Sequence, residues 1–108
     1  MERFRIKAAP GDKTCTLILH GEADLAVADD IVALGTLSLA ETTTDTLILD
    51  LEAVTFMDST SIGAMIRLRN LATDSGKHLQ LAHVPDRVRQ VLSLTGLGGT
   101  FEEASLPC

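Results

Sequence analysis

The sequence predicts an α/β fold built on a small mixed β-sheet, an opening hairpin followed by parallel strands. Three observations carry this. Near the start, the alternating segment Phe4–Ala8, the turn residues Pro10-Gly11-Asp12-Lys13 and the β-prone run Cys15–His20 read as a hairpin. Beyond it, the short apolar runs Thr46–Leu51 and Leu79–Ala82 alternate with longer segments of helical spacing. Each helical crossover returns the chain in the same direction, so the strands it joins run parallel.

The elements follow in order. After Gly21–Asp24, where Gly21 is expected to end the second strand, Leu25–Ala40 carries Val27, Ile31, Leu34 and Leu37 or Ser38 at helical spacing, with Asp24 placed to cap it. A polar loop, Thr42–Asp45, leads into the strand Thr46–Leu51. The next helix begins near Ser59 and runs to about Asp74, with Ile62, Met65, Ile66, Leu68 and Ala72 along one side and Ser75-Gly76 as its stop. Leu79–Ala82 reads as a buried strand. Pro85 suits the first turn of a last helix, whose inward stripe is Val88, Val91 and Leu92 and whose left-handed C-terminal residue is Gly96.

With 108 residues, 45% hydrophobic and 22% charged, the chain is expected to be one domain, residues 1–108. Aromatic residues are only 3%, with no Trp or Tyr, so the core falls to Leu, Ile, Val and Ala and large aromatic binding hot spots are not expected. No apolar run approaches a membrane span, and the alternating N-terminus is no signal-peptide core, so membrane insertion is not expected and the location is read as cytoplasmic. Cys15 and Cys108 lack metal or disulfide spacing and are expected to be reduced thiols. A net charge of −6 with no basic run argues against a direct nucleic-acid partner.

The chemistry is expected at Thr55–Gly63, T-F-M-D-S-T-S-I-G, where one acid and three consecutive hydroxyls open a helix. A Ser or Asp here can accept from free backbone N–H groups, and the same N–H groups and positive helix end favour an added phosphate. A plain helix cap is the competing explanation. Because loops leaving the C-terminal ends of parallel strands gather at one rim, Asp24 and Asp58 are expected to flank the hydroxyls. On the outer side of this helix, Thr60, Gly63, Arg67, Asn70 and Asp74 are spaced three or four apart, a candidate docking face. Gly63 is costly inside a helix, which close approach of a partner backbone or close packing within the domain would each explain.

An enzyme with Ser59 as nucleophile and His20, His78 or His83 as base is disfavoured. There is no G-x-S-x-G elbow, and His78 and His83, five apart on a strand, would point to opposite faces. His20, Glu22 and Asp24 have metal-ligand chemistry, but Gly21 is expected to break their alternation, so no metal site and no cofactor are assigned.

The run L-I-L-D-L-E-A-V-T-F-M-D-S-T-S-I-G-A-M resembles the central motif of STAS domains, the anti-sigma factor antagonist family. Likewise, His20-Gly21-Glu22-Ala23-Asp24-Leu25 is similar to the family's G-E-x-D-L segment, and Arg87–Leu97 to its last helix and G-L ending, with Phe101-Glu102 where the fold closes. The resemblance spans roughly residues 4–104. It implies a STAS-like fold with helices mainly on one face of the sheet. It also implies that Ser59, directly after Asp58, accepts a phosphoryl group, with Thr60 the second choice and Ser61 the third. Asp24 and Asp58 would support the switch, and Thr60, Ser61, Gly63, Arg67 and Asn70 would meet the partner. One departure stands out: Ser61 occupies the position of the family's Gly in D-S-S-G or D-S-T-G. The role implied is an anti-sigma factor antagonist that captures an anti-sigma factor serine kinase when unphosphorylated and is reset by a phosphatase. The alternative is a STAS subunit of a lipid transporter or stress-signalling complex without a kinase switch.

Overall fold

Leucine alternation builds the centre of the sheet. The computed structural model describes residues 4–104; the expectation for Cys108 lies outside them. Its elements are β1 (Arg5–Pro10), β2 (Thr14–Ala23), α1 (Leu25–Ala40), β3 (Thr46–Met57), α2 (Ser59–Asp74), β4 (His78–Ala82), α3 (Asp86–Leu94) and β5 (Glu102–Glu103). They form one five-stranded sheet in the order β1-β2-β3-β4-β5, antiparallel between β1 and β2 and parallel thereafter. The mixed α/β architecture is the one expected.

Cys15, Leu17 and Leu19 of β2, Leu47, Leu49 and Leu51 of β3, and Leu79 and Leu81 of β4 share one core with the inner residues of all three helices. The intervening residues face away from the helices, as period-two alternation requires. Each fully buried leucine contributes about 1.5–3 kcal/mol relative to an exposed one.

Two strands run longer than the sequence suggested. β2 continues through a buried Gly21, whose φ of 105° only glycine adopts freely, to Ala23. β3 continues past Leu51 to Met57. Against Ile18-to-His20 of β2, β3 spans Asp50 to Ala53, and against Gly21-to-Glu22 it spans Val54 to Phe56, so β3 carries one extra residue at each step. These two bulges break the simple alternation by which a strand is read from sequence.

Of the expected α1 stripe, Ile31 is buried and Val27 packs half-buried against the core, but Leu34 and Leu37 are exposed, and the rest of the buried side is Ala28, Gly35 and Leu39. The reason is close packing. An ideal Cβ on Gly35 would meet Cδ1 and Cδ2 of the buried Leu68 at 2.6 Å, so the small residues of α1 turn toward α2 and the leucines rotate outward. Lys77, just past α2, donates from Nζ to the carbonyls of Leu39 and Glu41, capping an α1 C-terminus that has no basic residue of its own. Both Gly76 and Gly96 take positive φ, and the next residues donate back to Ala72 and Leu92 at 2.7 Å, ending α2 and α3. Pro85 lies at the N-cap of α3, not inside its first turn. In that helix Val88 and Leu92 are buried, with Val91 half-buried. Arg89 of α3 grips Glu103 of β5 with two hydrogen bonds of 2.7 and 3.0 Å, which lower the carboxyl pKa and raise that of the guanidinium.

Candidate functional site

The site is assembled where β2 and β3 end side by side. Ala23 and Met57 are register partners, and the Asp58 N–H donates to the Ala23 carbonyl at 3.1 Å. The next residues on each strand, Asp24 and Asp58, therefore stand at one rim and open α1 and α2. Each is an N-cap: Asp24 Oδ1 accepts from the Ala26 N–H at 3.0 Å, and Asp58 Oδ1 accepts from the Ser61 N–H at 2.9 Å. Two helix N-termini, each with a partial positive charge, are thus brought together.

The three hydroxyls separate by burial. Ser59 and Thr60 are exposed in the first turn of α2. Ser61, expected among the partner-facing residues, is 0% exposed, and its Oγ donates to the Asp24 carbonyl at 3.3 Å. That side chain is a strut inside the domain and cannot meet a partner. Its departure from the family's glycine also requires no unusual backbone, since the non-glycine residues of positive φ are Lys13 and His83.

Along α2, Gly63 is half-buried and Thr60, Arg67, Asn70 and Asp74 are exposed, forming one face. An ideal Cβ on Gly63 would have nothing within 4 Å. Packing within the domain therefore does not explain this glycine.

Two residues at the rim escaped the sequence reading. Leu25, in the first turn of α1, is 71% exposed, and Phe56, two residues before Asp58, is 46% exposed. The second bulge of β3 leaves Phe56 paired with Glu22 on an exposed stretch instead of in the core. The β-prone run Val54-Thr55-Phe56 was the available signal that β3 continued.

The histidines lie elsewhere: His83 beside Asp50 at 3.2 Å, and His78 beside Glu102 at 3.5 Å. His83 follows the last residue of β4 with φ 53°, and the turn brings its ring to Asp50, whose register places it on the sheet face away from the helices. His78 alternates onto that same face, so the expected opposition of the two rings does not hold. No helix among the described residues is long and apolar enough to cross a membrane.

The family model described as "Mlab, STAS domain" matches residues 6–106. A protein of Lysinibacillus sphaericus named anti-sigma F factor antagonist is 31% identical over 94 residues, covering 86% of this chain and 80% of its own. The chain belongs to the STAS domain family. Among solved structures, the anti-sigma factor antagonist SpoIIAA in its unphosphorylated form aligns with a TM-score of 0.77 at 23% identity, over 95% of this chain and 89% of that one. The phosphorylated form of SpoIIAA, from Bacillus, aligns with a TM-score of 0.71 at 22% identity, over 95% and 92%. A sulfate transporter family protein from Wolinella succinogenes has the same fold, with a TM-score of 0.71 at 24% identity over 88% and 81%.

Proposed function

We propose that residues 1–108 act as one cytoplasmic partner-switching domain. Unphosphorylated, it binds an anti-sigma factor serine kinase and so frees the sigma factor; phosphorylation at Ser59 ends the binding, and a phosphatase restores it. The observation that carries this reading is Ser59 itself, exposed in the first turn of α2 directly after the capping Asp58. The anti-sigma F factor antagonist of Lysinibacillus sphaericus and the SpoIIAA structures, one of them phosphorylated, support it by similarity.

The docking surface in this reading is the α2 face of Thr60, Gly63, Arg67 and Asn70, with Leu25 and Phe56 as apolar contacts at the rim. Open space over Gly63 supports a partner backbone lying there. The chain is the substrate of the kinase and has no catalysis of its own. Asp58 holds the helix start in shape, and Asp24 adds negative charge beside the acceptor.

A phosphoserine brings about −1.5 to −2 charges at pH 7. The helix N-terminus favours that charge by roughly 0.3–1 kcal/mol, so the fold persists. Against a partner the same group must be desolvated beside Asp58 and Asp24, and binding is lost there. Incubation with the co-encoded kinase and ATP, followed by mass-spectrometric mapping, tests the reading. One phosphoryl group on Ser59 supports it, and modification chiefly at Thr60 reassigns the acceptor. No modification by any co-encoded kinase favours the second reading, a STAS subunit of a transporter or stress-signalling complex, to which the Wolinella succinogenes transporter-family protein lends weight.

A further inference from the structure

On the sheet face opposite the helices, the fold collects Asp50 and Glu52 of β3 and His83 from the end of β4. One ligand atom from each lies within 4.8 Å of the others. His83 Nδ1 is 3.2 Å from Asp50 Oδ1 and 3.8 Å from Glu52 Oε2. We infer that Asp50, Glu52 and His83 form a binding site for a divalent cation of the zinc class, with three protein ligands and the remaining position open to water.

Three features argue for it. First, bond lengths of about 2.0–2.2 Å from zinc to nitrogen or oxygen set the edges of a tetrahedral site at roughly 3.3–3.5 Å; two of the three pairs, at 3.2 and 3.8 Å, lie close to that spacing, and the Asp50–Glu52 pair lies within 4.8 Å. Second, the donor set of one imidazole and two carboxylates suits a borderline cation over a purely hard one, for which oxygen ligands alone are usual. Third, the Asp50 carboxylate is already fixed, because its Oδ1 accepts from the Glu52 N–H at 3.1 Å.

The positioning follows from the backbone. The first β3 bulge, opposite Ile18 and His20, lies at Asp50–Ala53, and the left-handed His83 reverses the direction its ring would take in a continued strand. The covering of the ligands is graded: Asp50 is largely sheltered, His83 is partly exposed and Glu52 is exposed, so the cation would enter and exchange from solvent.

This inference is independent of the partner-switch reading, since the cluster lies across the sheet from α2. The test is calorimetric titration of the full chain with Zn2+ alone, paired with the visible absorption of bound Co2+. Expected are one saturable equivalent and the intense absorption of tetrahedral Co2+. His83→Asn, which keeps a residue tolerant of positive φ, should lower the affinity more than about tenfold, the loss that removal of even an outer-sphere partner brings. Glu52→Gln should lower it as well, and neither substitution should change the melting temperature of the metal-free protein by more than a degree or two. Absence of a saturable equivalent in the unaltered chain, or an affinity unchanged in His83→Asn, overturns the assignment.

Discussion

Gly63→Ala separates the needs of the domain from those of its partner. Gly63 lies inside α2, and the added methyl would meet nothing within 4 Å. The helix-propensity gain of about 0.8–1.0 kcal/mol should therefore appear as stability. With an unfolding entropy of about 2.1 cal/mol/K per residue, the 108-residue chain changes by roughly 0.23 kcal/mol per degree, so the melting temperature should rise by about 4 °C. If a partner backbone lies over Gly63, the same methyl overfills that contact at a cost of about 1–3 kcal/mol, weakening binding roughly 5- to 150-fold. Thermal melts by circular dichroism, and calorimetric titration with the kinase of the proposed switch, give the two numbers. A variant that melts higher and binds as tightly as the unaltered chain refutes partner contact at Gly63. One that melts lower refutes the open space.

The same substitution at Gly35 should have the opposite sign. There the new methyl drives into Leu68 at 2.6 Å, and overpacking of about 1–3 kcal/mol offsets the propensity gain, so Gly35→Ala should not raise the melting temperature. Ser59→Ala should keep partner affinity and resist switching; Ser59→Asp should lose affinity while its melt stays within about a kcal/mol of the original, and a largely unfolded Ser59→Asp protein would defeat the local-charge account. Asp24→Asn retains a capping oxygen, so it should melt normally and alter phosphorylation or binding; a lower melt with normal phosphorylation and binding would leave Asp24 as a cap alone. The Glu103 carboxyl is lowered first by the Arg89 hydrogen bond, so the stability it lends β5 is present above the usual carboxylate range and lost as pH falls through the lowered value. Referred to the intrinsic exchange rate at each pH, the protection of the backbone amides in Glu102–Glu103 should fall at acid pH, and Glu103→Gln should remove that acid dependence.

Much of this was legible because local rules and the global fold agree. The start of α1 and both bounds of α2 follow from Asp24, Asp58 and Ser75-Gly76, whose capping chemistry is local. What sequence did not show depends on long-range contact. The place of the small residues on the inward side of α1 is not readable from its own periodicity, because it is set by Leu68, 33 positions downstream of Gly35. The second half of β3 is not readable from sequence, because its bulges disrupt the period by which a strand is recognised. Ser61 looked like its two neighbours, and only the Asp24 carbonyl above it distinguishes a strut from a surface hydroxyl. The Asp50, Glu52 and His83 cluster was invisible for the same reason, since β4 must lie beside β3 before the ring can meet the carboxylates.

The helices α1 and α2 are fastened at both ends, at one by Ser61 Oγ on the Asp24 carbonyl and at the other by Lys77 Nζ on the carbonyls of Leu39 and Glu41. Between these ends Gly35 packs closely against Leu68, so the two helices are held together along their length. In the proposed switch, the message to a partner would therefore lie in the charge and outline of the surface, which one group transfer at Ser59 would change.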